Sequence, residues 1–173
     1  PKGARIKTTH GKACGPIAAL KLLSSVSTLV TQGGKRDGAN MAVMNVHHPD
    51  IEEFIDCKTE EGAIHNFNIS VGATDAFMNA VKNDEDYDVI DPISKEVVAK
   101  KNARQLFDKI VKGAWKNGEP GIIFLDEVNR KSPVSHLGEM TATNPCGEQP
   151  LLPNESCNLG SINLSKFLNE DNT

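Results

Sequence analysis

Apolar residues recur at helical spacing in two stretches of the chain. The first stretch begins at Pro16 and is ended by segment 32–34 (QGG), and proline at the start with glycine after the end is typical of a helix. The second covers Asn102–Asn117 and is broken by segment 118–121 (GEPG). The two apolar stripes are Ile17, Leu20, Leu23, Val26 and Val30, and Ala103, Leu106, Phe107, Ile110, Val111, Ala114 and Trp115. Both stripes predict amphipathic helices.

Shorter apolar runs predict strands between these helices. The run 122–125 (IIFL) is continuous, as expected of a strand buried on both faces, and residues 66–71 alternate between polar and apolar. The predicted strands are 39–46, 66–71, 89–92, 122–125 and 157–164, and two further helices are predicted at 49–57 and 73–81. Helices and strands then alternate, which favours an α/β fold with parallel strands and right-handed crossovers.

Segment 126–143 has no apolar period and is predicted to be a long ordered loop, a feature that is usually functional in a compact domain. No internal repeat and no domain boundary is evident, so residues 1–173 are treated as one unit. Because the chain starts at Pro1 in a polar stretch and stops at 169–173 just after an apolar segment, we expect it to be a fragment of a longer protein.

The composition narrows the function classes. With 38% hydrophobic residues and a net charge of −4, the chain lacks the basic balance of a nucleic-acid-binding protein. No apolar run is long enough to cross a bilayer and no signal peptide is visible. We therefore expect a cytoplasmic protein with no nucleic-acid and no membrane partner.

Four cysteines, at positions 14, 57, 146 and 157, carry candidate thiol chemistry. No CxxC pair is present, which argues against a zinc site. In a chain without a visible secretion signal, reduced thiols that are available for catalysis are favoured over disulfides. Cys14 is interpreted as a packed small side chain and Cys57 as a structural residue at the end of a helix.

Segment 144–153 (NPCGEQPLLP) is rich in proline and glycine, so it predicts a rigid loop rather than a helix interior. On an extended stretch alternate side chains share one face. Asn144, Cys146 and Glu148 could then converge on one ligand, offering an amide, a thiol and a proton acceptor. A tight turn with a structural cysteine explains the same residues equally well, and the residues alone leave both interpretations open.

A resemblance to a known family favours the ligand-binding interpretation of segment 144–153 over the structural one. Segments 144–151 (NPCGEQPL) and 155–164 (ESCNLGSINL) resemble the central signature of ribonucleotide reductase large subunits. Segments 13–16 (ACGP), 32–41 (QGGKRDGANM), 48–55 (HPDIEEFI) and 66–71 (NFNISV) agree with the family in the same order. The sequences around Cys146 and Cys157 resemble the adenosylcobalamin-dependent class more than the di-iron class. The resemblance extends over the whole chain.

The resemblance implies a fold and a set of roles. The fold is a partial ten-stranded α/β barrel, its first half plus a finger loop at about 142–153. Cys146 would carry the transient thiyl radical that takes the ribose 3′ hydrogen, and Glu148 would take the proton of the 3′ hydroxyl. Asn144 would bind the substrate hydroxyls. Cys157 would be one of two reducing thiols, its partner lying before Pro1.

The resemblance also implies ligands and partners. These are adenosylcobalamin, a ribonucleoside di- or triphosphate substrate, a thioredoxin-type dithiol reductant and, for the full-length protein, a homodimer. A deoxynucleotide effector would act through residues 3–12, which include Lys7, and residues 58–66, which include Lys58, Glu61 and Gly62. Plain surface turns remain the alternative for both loops.

Two other functions are kept open: a fragment of a di-iron-dependent ribonucleoside-diphosphate reductase, and a non-catalytic nucleotide-binding remnant of the fold. We expect the 173-residue chain to be inactive by itself. Metal binding at His47-His48 and phosphate binding at segment 33–38 (GGKRDG) are disfavoured, because a helix start at Pro49 explains the histidines and the glycines lack phosphate-loop spacing. Asp126-Glu127 is interpreted as a solvated loop start rather than a cation site.

Overall fold

A three-stranded parallel sheet organises the molecule, in a computed structural model that describes residues 1–30, 34–35, 37–60 and 62–168. Its strands are β1 (Asn40–Asn45), β2 (Phe67–Ala73) and β5 (Gly121–Phe124), in the order β1-β2-β5. Asn40 pairs with Phe67 at one end of β1, and Ser70 pairs with Gly121 at the start of β5. The α/β prediction with parallel strands is confirmed for these three runs.

The remaining elements surround this sheet. The helices are α1 (Pro16–Leu29), α2 (Ile51–Asp56), α3 (Asp75–Asn83), α4 (Ala103–Asn117) and α5 (Leu125–Arg130), with 3-10 turns at Ser135–Leu137 and Leu164–Phe167. Two antiparallel hairpins pair β3 (Asp86–Ile90) with β4 (Val97–Asn102) and β6 (Ala142–Thr143) with β7 (Pro150–Leu151).

Side-chain caps fix the starts of α3 and α4. The Thr74 hydroxyl accepts a hydrogen bond from the Phe77 amide at 3.1 Å, and the Asn102 side chain accepts one from the Gln105 amide at 2.9 Å. Each cap satisfies an amide that has no partner within its helix. Gly118 ends α4 in the left-handed conformation with φ 82, which glycine adopts without steric cost.

The core lies between the sheet and helices α2, α3 and α4. Val71 and Ile69 of β2 are buried there with Phe54 of α2 and Phe77 of α3. The β3–β4 hairpin contributes Tyr87, whose ring meets Phe77 edge to face at 5.0 Å. Burial of this apolar surface supplies the main driving force for the fold.

Helix α1 buries the first part of its predicted apolar stripe, and polar side chains take over further along the helix. Ser24 is buried and its hydroxyl donates to Asn66 at 2.7 Å. Ile17 is buried and Leu20 packs against the core, but Leu23, Val26 and Val30 of the stripe are exposed. Periodicity identified the helix correctly and its buried face in part, because beyond Leu20 the inward contact is the hydrogen bond from Ser24 to Asn66.

Other boundaries differ from the prediction for local reasons. Segment 126–143 is not a continuous loop, since α5 and a 3-10 turn lie within it. Residues 157–163 form no strand, and the 3-10 turn at Leu164–Phe167 follows them. The third predicted strand, 89–92, is displaced along the chain: β3 begins three residues earlier, at Asp86, and ends two residues earlier, at Ile90, and it pairs antiparallel with the unpredicted β4.

Two predicted apolar surfaces are more exposed than expected. In α4, Ala103, Leu106 and Ile110 are buried, whereas Val111 and Trp115 are exposed. Strand β5 is half-buried, and Phe124 is exposed, because β5 lies at the edge of the three-stranded sheet. In the described part of the chain, no helix has the length and apolar content needed to span a membrane.

Candidate active site

A tight hairpin presents the predicted site residues. Strands β6 and β7 pair Ala142 with Leu151 and Thr143 with Pro150, and the Asn144 amide donates to the Gln149 carbonyl at 3.1 Å. A turn then closes at the tip, where the Gly147 amide donates to the Asn144 carbonyl at 3.0 Å. Gly147 has φ 83, a value that glycine adopts readily and other residues rarely do.

Asn144 links the hairpin to Cys157. Its side chain is buried, and its Oδ1 accepts a hydrogen bond from the Gln149 amide at 3.0 Å. Its Nδ2 lies 3.8 Å from the Cys157 Sγ, and Cys157 is half-buried. The structure therefore brings two of the predicted site residues into contact although 13 positions separate them.

Cys146 and Glu148 are exposed at the tip of the hairpin. The prediction that Asn144, Cys146 and Glu148 share a face because the segment is extended is wrong in its premise, since the turn at 144–147 folds the chain back. Asn144 points inward and the other two residues are open to solvent. An exposed thiol two positions from an exposed carboxylate still provides an accessible sulfur and a proton acceptor at the tip of one hairpin.

The hairpin is held against the parallel sheet. Strand β6 contacts β1, and Asn68 of β2 donates from Nδ2 to the Pro145 carbonyl at 2.5 Å. Sequence reasoning missed Asn68, which appeared only as one polar position of an alternating strand. Its partner is 77 residues away, so no local pattern could have indicated the contact.

The other two cysteines differ from each other in burial. Cys14 is exposed, so the interpretation as a packed side chain is wrong. It stands just before Gly15, where the chain enters α1 with φ 86 at the surface. Cys57 follows the last residue of α2 and packs against the core, as predicted, and burial raises its thiol pKa to about 11.

The two predicted effector loops are placed as follows. Residues Arg5 and Lys12 form an isolated antiparallel bridge, and Lys7 is exposed between them. Lys58 is largely buried and pairs with Glu119 at 2.6 Å. Gly62 has φ 81, and Glu61 lies outside the described residues.

The remaining polar candidates have internal partners. His47 contacts the Asp88 carbonyl through Nδ1 at 2.6 Å and the Thr74 hydroxyl through Nε2 at 2.9 Å. Asp126 accepts a hydrogen bond from the Asp75 amide at 2.7 Å. Over residues 1–30, 34–35, 37–60 and 62–168, no group of three or more His, Cys, Asp or Glu side chains is placed to hold a metal ion.

A parallel α/β sheet that carries a cysteine-bearing hairpin defines an α/β protein with a candidate thiol site. Residues 1–173 match the family model described as ribonucleotide reductase, barrel domain, and the chain belongs to that family. The described residues form part of such a barrel and do not close one.

Curated relatives agree with this assignment. The chain is 50% identical to a vitamin B12-dependent ribonucleoside-diphosphate reductase of Thermoplasma acidophilum and 48% identical to one of Mycobacterium tuberculosis, over 97% of its length in both cases. It is 32% identical, over 95% of its length, to a vitamin B12-dependent ribonucleotide reductase of Streptomyces avermitilis. The chain spans 22%, 24% and 20% of these relatives, respectively.

Proposed function

We propose that the chain is the part of a ribonucleotide reductase that carries the radical-bearing cysteine and its supporting residues. The observation that supports this most directly is the hairpin itself. It presents the Cys146 thiol and the Glu148 carboxylate at an exposed tip and holds Asn144 against Cys157. The family match over the whole chain gives this geometry its chemical interpretation.

The proposed chemistry assigns one role to each residue. Cys146, after losing its thiol hydrogen atom, takes the hydrogen atom from C3′ of the ribose as Glu148 takes the proton of the 3′ hydroxyl. The 2′ hydroxyl then takes one proton and leaves as water. Cys157 and a second thiol supply two electrons and two protons as they close to a disulfide: one proton leaves in the water and the other forms the new C2′–H bond. Cys146 then returns its hydrogen atom to C3′, and Glu148 returns its proton to the 3′ oxygen. External dithiol exchange restores the reduced pair.

Asn144 is proposed to bind the substrate hydroxyls with its amide. In the structure its Oδ1 is engaged by the Gln149 amide, and its Nδ2 faces Cys157. The Nδ2 group is therefore the donor that can turn to a sugar oxygen. A sugar hydroxyl bound by this Nδ2 group would lie near Cys157, the proposed reducing thiol.

The proposed cofactor is adenosylcobalamin, which agrees with the vitamin B12-dependent names of the relatives. The observation that this segment can accommodate the cofactor is that the hairpin tip is accessible. Cys146 is exposed, Gly147 presents no side chain, and no heavy atom outside its immediate neighbours lies within 4 Å of where its Cβ would be. When bound, the cofactor supplies the radical equivalent for Cys146. The hairpin tip, 146–148, is the part of this segment that would face it.

The following partners are proposed for the full-length protein. They are a ribonucleoside di- or triphosphate, a thioredoxin-type dithiol, a deoxynucleotide effector at residues 3–12 and 58–66, and a second copy of the protein. The finger loop is proposed at about 142–153, which includes the β6–β7 hairpin. For Lys58, effector binding requires release from Glu119, with which it is paired here.

The test is made in a full-length reductase chain that contains this segment. Cys146→Ser is expected to abolish ribonucleotide reduction, because a hydroxyl does not form the required radical under the same conditions. Cys14→Ser changes an exposed cysteine outside the proposed site and is expected to retain activity. Full turnover by Cys146→Ser would exclude the proposed mechanism.

The alternatives give different results in the same assay. Activity that requires added adenosylcobalamin and no second protein subunit favours the proposed class over the di-iron class. Nucleotide binding with no turnover under any cofactor condition would instead support the non-catalytic alternative.

A further inference from the structure

A side chain on the central strand holds the main chain immediately before Cys146. Asn68 Nδ2 donates to the Pro145 carbonyl at 2.5 Å. Proline has no amide hydrogen, so this carbonyl is the main-chain group through which Pro145 can be held. The bond acts one peptide unit from the Cys146 thiol.

The side chain of Asn68 is exposed, but its main chain is firmly placed. It lies in β2, the middle strand of the sheet, and pairs in register with Met41 of β1. Its neighbours Phe67 and Ile69 are buried at 5% and 2% exposure. Lys58 Nζ donates to the Phe67 carbonyl and also pairs with Glu119. The strand therefore provides a fixed base for the Asn68 amide.

The hydrogen bonds within the hairpin fix its shape but not its distance from the sheet. The Asn144 amide and the Gly147 amide both bond to carbonyls inside segment 144–149, and the Asn144 Oδ1 accepts from the Gln149 amide in the same segment. The bond from Asn68 is different because it joins this segment to the sheet.

We propose that Asn68 is a positioning residue that fixes the Cys146 turn on the sheet at the distance hydrogen-atom transfer requires. This inference rests on the proposed function, because it concerns the same thiol. Asn68 contacts the main chain of the turn and not the reacting atoms. Its loss should affect turnover more than nucleotide binding.

The experiment replaces Asn68 in a full-length reductase chain that contains this segment. Asn68→Asp keeps the size of the side chain, removes the donor and places an anionic oxygen against the Pro145 carbonyl. Asn68→Ala removes the donor without adding charge and is measured in parallel. The matched control is Asn40→Asp on the neighbouring strand, since Asn40 Nδ2 donates to Ser27 of α1 at 2.8 Å and not to the hairpin.

Two measurements are made on each variant. Because a misplacement of about 1 Å can reduce a rate about 100-fold, we expect kcat to fall by about ten- to 100-fold with KM for the nucleotide within about twofold. Independently of activity, amide hydrogen exchange of segment 144–149 should become about tenfold faster, as expected for loss of one hydrogen bond. The Asn40→Asp control should leave this exchange unchanged.

Several outcomes would overturn the inference. These are unchanged exchange and kcat in both Asn68 variants, a lower kcat with unchanged exchange, or equal loosening of segment 144–149 in Asn40→Asp. None of them affects the Cys146→Ser test. If Cys146→Ser turns over normally while the Asn68 variants still loosen the turn, the proposed function fails and the anchoring role stands.

Discussion

The four free cysteines occupy different environments, and their reactivity should differ accordingly. Cys14 and Cys146 are exposed, whereas Cys57 packs against the core. Burial raises the pKa of the Cys57 thiol from its ordinary 9.0 to about 11. Because the thiolate is the nucleophile, this single residue should be protected from alkylation by its protonation state as well as by its burial.

Alkylation at pH 8 provides the corresponding test. When the pH is below the pKa, raising the pKa by one lowers the thiolate fraction about tenfold. Cys57 should therefore react about 100-fold more slowly than an ordinary thiol. Peptide-resolved mass spectrometry of the chain treated with iodoacetamide measures this, with Cys14 as the reference within the same molecule. Equal rates at Cys57 and Cys14 would show that Cys57 is not buried in solution.

At the residue scale, the sequence was informative where chemistry is local. Asn144, Cys146 and Glu148 lie in one segment of unusual composition, and the family resemblance implies the roles proposed for them. The exposure of Cys14 and the contact of Asn68 with Pro145 were not predictable. Both depend on which distant segments meet, and no spacing along the chain encodes that.

At the element scale, the packing of helix α3 on the core depends on Phe77. Phe77 is fully buried and meets Tyr87 edge to face. Phe77→Ala is expected to lower the free energy of unfolding by about 3–5 kcal/mol, since it removes buried apolar surface and leaves a cavity. Trp115→Ala is the control because Trp115 is 89% exposed, and its effect should stay within about 0.5 kcal/mol. Urea unfolding of the chain measures both, and similar losses would contradict the packing of α3.

Helix α2 contributes a pH dependence through Glu52. A hydrogen bond from Lys101, with further attraction from Lys101 and Lys109, holds the pKa of Glu52 below its ordinary value of 4.5. A lowered pKa in the folded state means that the charged form stabilises the fold. This contribution is fully present above pH 4.5 and is lost as the pH falls through the lowered pKa.

The substitution Glu52→Gln tests whether the charged form of Glu52 stabilises the fold. Because the Glu52 side chain is 46% exposed, solvent screening limits the effect at pH 7 to below about 1 kcal/mol. The difference between the wild-type chain and the variant should shrink as the pH is lowered from 7 to 3. Thermal unfolding at several pH values measures it, and a difference that grows on acidification would reverse the assigned sign.

Elements with strong hydrophobic patterns were predicted, and elements made by pairing were not. The sequence indicated β1, β2 and β5, and these strands form the parallel sheet. Strand β4 (VVAKKN) has exposed or half-exposed residues throughout and becomes a strand because it pairs with β3. Helix α5 has no buried residue among its six, so periodicity gave no signal for it.

At the scale of the whole molecule, large apolar surfaces remain uncovered. Leu29 and Val30 at the end of α1 are exposed at 84% and 66%, and Phe124 of the edge strand β5 is exposed at 46%. Exposed apolar patches and open strand edges favour association. The orientation of α1 that creates the first surface follows from buried hydrogen bonds between Ser24 and Asn66, which an apolar periodicity cannot reveal.

The last prediction concerns what the chain can do alone. It spans only about a fifth to a quarter of its curated relatives, and the proposed reaction needs a second reducing thiol besides Cys157. Within the described residues, neither Cys14 nor Cys57 is hydrogen-bonded or disulfide-bonded to Cys157, whose contact is Asn144. We therefore expect no ribonucleotide reduction by residues 1–173 supplied with adenosylcobalamin and a dithiol. The positive control is a full-length relative assayed under the same conditions, and product formation by the chain alone, measured by chromatography, would show that the 173 residues contain a complete active site.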